Sequence, residues 1–337
     1  MVLVKASELR ATAQSIFERL AFPVADAATV AEVLVWANLH GKDTHGVTRI
    51  PRYLELVNCG ELNPTPKITL AVDLPAMTVV DSDRAAGAVA LQYAVPYAVT
   101  KARQNGISLT LVGKTTHTGP IGYFAAKIAS QGLAAIVAAA SIPNMAYHGS
   151  RSAVVSTAPL AISIPRGDAK VITLDMASST ISLGKLLAAQ KSNTQLGLED
   201  ALDEQGALTQ DPKKATTLMP LGGPKGAGLA FMIELLASVM SGNPILQTYL
   251  SDPASRKHQQ NALLIAIDFS QLIDPTDFIF NVETLGSILR KEDKREGFEQ
   301  LLLPGERGVK IKEKRLQEGI PIPDALWNRL QREANPQ

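Results

Sequence analysis

ISLTLVGKTTHTGPIGYFAAKIAS, residues 107–130, divides into three parts. Ile107 to Val112 is rich in β-branched and large apolar residues and predicts a strand. Lys114-Thr115-Thr116-His117-Thr118-Gly119-Pro120 reads as a polar loop, and Ile121 to Ser130 as a helix. Strand, loop and helix in this order belong to a chain that mixes the two element types. Neither here nor elsewhere does a strand run into GxGxxG at the start of a helix, with an acidic residue about twenty positions on. A standard Rossmann domain is therefore unsupported.

On both sides the pattern continues. Leu133 to Ala140, Leu160 to Ile164, Val171 to Leu174 and Ala262 to Phe269 are short apolar runs suited to a buried sheet, although the alanines of 134–140 favour helix. Ser182 to Ala189 predicts a helix and Lys191 to Pro212 a polar stretch. Gly222 to Gly228 leads into an apolar helix, Leu229 to Met240, interrupted by Glu234 and ended by Gly242-Asn243-Pro244.

Toward the N-terminus, Leu9, Ala13, Ile16, Phe17 and Leu20 share one helical face up to Pro23. Asp26 is placed to cap a second helix, buried through Val30, Val33, Leu34 and Ala37 and stopped at Gly41. Pro51 fits the first turn of a third, carrying Tyr53, Leu54 and Val57. Gly60 to Pro66 reads as a hinge, and the C-terminal residues return to helical, charged character. The expected architecture is α/β (α+β): a helical domain from both ends, 1–70 plus 275–337, around a sheet domain over 71–274.

Thirty-three Lys and Arg against thirty-two Asp and Glu leave a net charge of +1, which argues against nucleic acid as the main partner. With 337 residues, 46% of them hydrophobic, the chain can bury a core without a disulfide or metal staple. The single cysteine, Cys59, excludes an intrachain disulfide and a cysteine-rich metal site, and points to a reducing, cytoplasmic setting. MVLVKASELRAT shows no secretory signal. The longest uncharged run, Ile128 to Ser150, is broken by Ser130, Gln131, Ser141, Pro143, Asn144 and His148, so it reads as turn, strand and loop rather than a membrane span.

Chemistry concentrates at a few points. His45 and Arg49 flank a loop–helix junction: an imidazole exchanges a proton near neutral pH, and a guanidinium grips a carboxylate through two hydrogen bonds. A capping histidine and a structural ion pair are the plainer alternatives, and Arg52 is a neighbour suited to either job. His117 lies in a polar loop after a strand, a common place for active-site residues, and His148 is a candidate for the same pocket. Asp175, at a strand end, is a candidate to orient a histidine or bind a hydroxyl or amide, or simply a strand cap. Gly222 to Gly228 offers backbone N–H groups and the Lys225 ammonium to a phosphate, or else only a tight turn.

Other chemistries find less support. His40 and His45 do not form HExxH, and His117, His148 and His258 lack the short spacings of common metal sites, so no metal is expected. No GxSxG elbow is present. Lys310, Lys312, Lys314 and Arg315 alternate with Glu313 and Glu318 and read as a solvated helix face.

Taken in order, Asp43-Thr44-His45-Gly46-Val47-x-Arg49-x-Pro51, Thr116-His117-Thr118-Gly119, Leu174-Asp175-Met176-Ala177, Gly222-Gly223-x-Lys225-Gly226 and Pro304-Gly305-Glu306 closely resemble the malate/L-lactate dehydrogenase family. That family lacks a Rossmann fold and also contains L-sulfolactate, ureidoglycolate and diketogulonate oxidoreductases and cyclic-imine reductases. The resemblance implies a nicotinamide domain with a central mixed or antiparallel sheet, a helical domain from the chain ends, and a homodimer with a shared active site. It implies NAD or NADP as cofactor and a small carboxylate as substrate. Acid/base work falls to His45 or His117, with Arg49 on the substrate carboxylate. Ser141, Asp175, Met176, Ala177, Lys225, Gly226, Gly305, Glu306 and Arg307 match cofactor-contacting segments, while His148 and Thr157 are candidates for the substrate pocket.

The family commonly has Gly-Thr-Asn-Pro where this chain has Ser156-Thr157-Ala158-Pro159, so a pocket amide becomes a methyl. It often has an aromatic residue or proline before paired glycines where His148-Gly149-Ser150 stands. The expected reaction is reversible hydride transfer between NAD(P)H and a small 2-oxo acid. Reduction of a cyclic imino acid, oxidation of ureidoglycolate and binding without catalysis remain as alternatives.

Overall fold

The computed structural model describes residues 1–168, 170–252 and 257–335. In chain order it forms β1 (Val2–Val4), α1 (Ala6–Arg19), α2 (Val24–Leu39), 3-10 turns over Asp43–His45 and Val47–Arg49, and α3 (Ile50–Asn58). There follow β2 (Thr69–Asp73), β3 (Met77–Asp81), α4 (Gly87–Asn105), β4 (Ile107–Thr115), α5 (Gly122–Ala129), β5 (Ala134–Ser141), β6 (Met145–Ala146), β7 (Ala153–Val155), β8 (Leu160–Arg166) and β9 (Lys170–Met176). The rest comprises α6 (Leu183–Ser192), β10 (Ala201–Leu202), β11 (Thr217–Leu218), α7 (Pro224–Glu234), α8 (Ile245–Ser251), β12 (Gln260–Ile267), α9 (Pro275–Lys291), α10 (Glu306–Glu318), β13 (Ile320–Ile322) and α11 (Asp324–Ala334). No described helix is long and apolar enough to cross a membrane.

The main sheet has seven strands in the order β2-β3-β4-β12-β5-β8-β9. Only β3 and β4 run parallel; every other neighbouring pair is antiparallel. This mixed sheet is not doubly wound, as the missing glycine fingerprint implied. β5 sits between β12 and β8 despite its alanines. Its odd residues Ala135, Val137 and Ala139 enter one core with α1 to α5, and Ala138 and Ala140 enter a second with α6 and α7. Burial on both faces overrides alanine's helix preference, and the small side chains let helices approach closely.

Other expectations need adjustment. β4 continues beyond Val112 because Gly113 still pairs with Asp81 and Thr115 with Gln260, across a bulge in which Gly113 and Lys114 of β4 oppose Asn261 of β12. Asp26 does not cap α2: Pro23 occupies that position, and Asp26 lies in the first turn, facing the helix dipole. Glu234 is buried where the apolar helix passes into a π-helical turn over Leu235–Val239. Its carboxylate accepts from the Ile245 and Leu246 amides, both at 2.9 Å, and so caps α8 from another element. The chain ends meet: β1 pairs antiparallel with β13, Val2 opposite Ile322.

The strand directions place the site. β4, β5 and β9 end, and β8 and β12 begin, at one edge of the sheet. His117 follows β4, Ser141 closes β5, Thr157 precedes β8, Asp175 nearly closes β9 and His258 precedes β12. Residues distant in the chain therefore share one rim.

Candidate active site

The loop that carries His45 is clamped from two sides. Buried Asn38 of α2 accepts from the Val47 amide at 2.9 Å and donates to Asp43 at 2.7 Å. Gly46 lies so close that a Cβ there would come within 2.2 Å of the Asn38 amide oxygen. Arg315 of α10 grips both Asp43 oxygens, at 2.7 and 2.9 Å, and also reaches the Asn38 carbonyl. Arg315 is thus not part of a solvated face; the C-terminal region secures an N-terminal loop. Asn38→Ala strands the Val47 amide and is expected to lower stability by about 1–3 kcal/mol, read as a reduced urea midpoint at unchanged m-value.

Above this loop the His45 and His117 rings stack with centroids 6.1 Å apart, inclined by 22°. His45 Nδ1 meets the Thr44 hydroxyl at 3.1 Å. Arg49, one 3-10 turn further on, donates its Nε to the Thr44 carbonyl at 2.7 Å, and its two terminal nitrogens have no hydrogen-bond partner among the described residues. Asp175 of β9 is ion-paired with Lys42, and Gly122 leaves room for it, since a Cβ there would lie 2.6 Å from its carboxylate. The structure thus brings His45, Arg49, His117 and Asp175 into one field.

Both imidazoles are held neutral. Burial, then the Arg49 charge, lowers the His45 pKa to about 4, opposed by Asp175. Burial, Arg49, His45 and His258 together drive His117 well below its ordinary value.

Tyr53, read from the sequence only as core, is 2% exposed and touches His117 twice: its hydroxyl lies 3.1 Å from Nδ1 and 3.2 Å from the carbonyl oxygen. Burial raises the phenol pKa, so it stays protonated. A phenol has one proton and the carbonyl can only accept. Both contacts are hydrogen bonds only if Tyr53 donates to the carbonyl and His117 donates Nδ1–H to Tyr53. Nε2 is then the unprotonated nitrogen. The sequence signal for Tyr53 was a hydroxyl inside an apolar stripe, one turn from Arg49.

The remaining candidates spread along the rim. The Ser141 amide reaches the Ser156 hydroxyl at 3.3 Å, and the Thr157 carbonyl accepts from the Ser178 amide at 2.9 Å, which ties β5, β8 and β9 together. Met176 pairs with Leu160 at the end of β9, and Ala177 follows, half-buried. Ala158 takes φ 22°, in the left-handed region that asparagine tolerates better than alanine, so the departure from the family motif also carries a backbone cost. Exposed His148 stands beside Gly223, whose added Cβ would lie 3.3 Å from His148 Nδ1, and has no described contact with the His45–His117 pair.

The glycine segment corrects one expectation. Pro224 to Gly228 is the first part of α7 rather than an open loop, and the amides of Lys225, Gly226 and Ala227 are spent on the Gly222, Leu221 and Gly223 carbonyls. Gly226 is required by packing, because its Cβ would fall 2.2 Å from the Ser178 carbonyl oxygen. The anion-binding feature left is exposed Lys225 at the start of α7, with no ion pair among the described residues. Gly305, at φ 88°, docks on Thr173. Glu306 is committed to Arg166, Arg290 and the Leu303 amide, whereas Arg307 is exposed. Among the described residues no cluster of His, Cys, Asp or Glu could hold a metal.

A mixed sheet with paired imidazoles and a guanidinium beside them at one rim defines, with the comparisons that follow, a non-Rossmann NAD(P)-dependent 2-hydroxyacid oxidoreductase. The chain belongs to the malate/L-lactate dehydrogenase family, whose profile matches residues 4–331. It is 32% identical over 324 residues to L-sulfolactate dehydrogenase of Methanocaldococcus jannaschii, covering 95% of this chain and 93% of that protein. It is 31% identical over 306 residues to the NAD(+)-dependent ureidoglycolate dehydrogenase of Escherichia coli O157:H7, covering 90% and 88%. The solved malate dehydrogenase of Pyrococcus horikoshii superimposes with a TM-score of 0.89 at 27% identity, over 100% of this chain and 96% of that one.

Proposed function

We propose that the protein transfers hydride reversibly between NAD(P)H and C2 of a small 2-oxo acid of the malate, lactate or sulfolactate kind. The observation that carries this reading is the Arg49 fork beside the stacked His45 and His117 rings. The names of the sulfolactate and malate relatives agree with it.

In reduction, Arg49 orients the substrate carboxylate through its two free nitrogens. The arriving anion offsets the Arg49 charge that depresses both imidazoles, so His117 can carry a proton in the complex although it is neutral without substrate. Its Nε2 then delivers that proton to the substrate oxygen. In oxidation the same nitrogen, unprotonated because Tyr53 holds the proton on Nδ1, takes the hydroxyl proton. His45, whose proton affinity Asp175 raises against burial and the Arg49 charge, lines the pocket beside His117.

Nicotinamide, when bound, supplies or accepts the hydride. The residues fit such a group: exposed Lys225 at a helix N-terminus, with no ion pair among the described residues, suits a phosphate, Ser141, Asp175, Met176 and Ala177 lie along the rim, and Gly226 packs on the Ser178 carbonyl beyond it. Arg307 offers a second exposed cation. We also assign the chain to a cytoplasmic homodimer, an assembly supported by the apolar face that Met232, Leu236, Val239 and Met240 expose.

The test follows oxidation of NADH and NADPH with pyruvate, oxaloacetate and Δ1-piperideine-2-carboxylate, and reduction of NAD and NADP with ureidoglycolate. Saturable turnover of a 2-oxo acid is expected. Saturation by the imine or ureidoglycolate alone would replace the substrate assignment, and binding with no turnover would leave a carboxylate-binding protein.

A further inference from the structure

We propose that His258 recognises a second acidic group on the substrate, a carboxylate or sulfonate beyond the one gripped by Arg49, with Arg52 and Arg84 supplying the surrounding positive field. This rests on the hydride-transfer reading above.

His258 lies two residues before β12, the strand that begins at the site's rim. Its backbone is fixed on both sides: the amide donates to the Glu61 carboxylate at 2.9 Å, and Arg84 Nη2 donates to its carbonyl at 3.1 Å while also reaching the Glu61 carbonyl. The Nε2 atom is buried yet has no hydrogen-bond partner among the described residues, and Arg84 Nε shares that condition. An orphaned buried polar atom costs stability unless something satisfies it, and one carried by a backbone held from both sides at the sheet's rim points to a ligand. Asp83 and Arg84 both take left-handed backbone, with φ 46° and 60°, another sign of a segment held in an uncommon conformation.

Charge decides the class of ligand. Arg52, Arg84 and Arg49 all act on His258 against the single Glu61 carboxylate, and with burial they keep its imidazole neutral. A neutral ring with an N–H among cations is a hydrogen-bond donor to an anion. Gln260, two residues after His258, pairs with Thr115 and accepts from the Thr118 amide at 2.8 Å, which sets His258 next to the loop that carries His117, so the group it binds belongs to the molecule whose reacting oxygen faces His117. A monoacid leaves Nε2 to water, whereas a diacid satisfies it.

The test measures kcat/KM for oxaloacetate and for pyruvate in the wild type, His258→Ala and His258→Gln. The ratio of the two substrates cancels any change in His117, which serves both. His258→Ala is expected to lower the oxaloacetate-to-pyruvate ratio about tenfold or more, the loss of one hydrogen bond to a charged group. His258→Gln should recover part of it, because an amide again donates. An unchanged ratio in His258→Ala overturns the proposal. Calorimetric binding of succinate and propionate needs no turnover. A wild-type preference for succinate that His258→Ala abolishes supports the site even if no 2-oxo acid is reduced, a result that would sink only the hydride-transfer reading. Equal affinity of the wild type for the two acids overturns the site.

Discussion

Arg49→Ala is expected to lower kcat/KM for a 2-oxo acid by about a thousandfold, the cost of removing one partner from a desolvated, hydrogen-bonded charge pair. Arg49→Lys should recover little, since an ammonium cannot reproduce the two-pronged grip. The second readout is the pH profile of kcat/KM, which reports the free enzyme, in the direction of hydroxyacid oxidation. There the neutral imidazole is the active form, so activity holds above its pKa and falls as pH drops through it. With Arg49 in place that low-pH limb lies well below the ordinary 6.5 of histidine, because burial and the Arg49 charge both disfavour the imidazolium. Removing the charge moves the limb upward, though only in part, because burial is the larger cause. A low-pH limb that stays put in Arg49→Ala would show that the guanidinium does not act on the imidazoles.

His117→Ala should cost about 10²–10⁴ in kcat, the ordinary contribution of a positioned acid/base group. His45→Ala should cost less and act more on KM, since in this arrangement His45 lines the pocket without exchanging the proton. The reverse order would transfer the acid/base role to His45. Tyr53→Phe keeps the ring that meets Phe17 edge-on at 5.5 Å but removes the hydroxyl that sets the His117 tautomer. A fall of about tenfold in kcat for oxidation, with a loss of stability of about 1–3 kcal/mol from the stranded Nδ1–H, is expected from losing this hydroxyl. Unaltered kcat would show that His117 needs no tether.

Much of this was legible along the chain because the signals are local. Helix stripes such as Leu9, Ala13, Ile16 and Phe17, and the apolar run of β4, follow from the period of each element. His45 and Arg49 are four residues apart, so their partnership is visible in a short window. Other features depend on partners far along the chain. Arg315 looked like one basic residue among several until α10 brought it to Asp43, 272 positions away. His258 stood out only as a histidine without the spacing of a metal site until β12 carried it to the rim. Lys225 kept its place, but the amides around it went to a helix rather than a ligand, because a glycine pair followed by proline starts a helix as readily as it makes an open loop.

Composition, periodicity and ordered motifs were enough to establish the chain's family and a mixed α/β fold outside the doubly wound class, and to single out the histidines and arginine that the fold draws together. They could not say that β4, β5 and β9 end where β8 and β12 begin, since strand direction and order depend on pairing between distant segments. That pairing brings His117 to His45, hangs His117 on Tyr53 and turns two separate histidine loops into one pair of stacked rings. Burial then sets how tightly those rings bind a proton, and burial belongs to the folded chain as a whole.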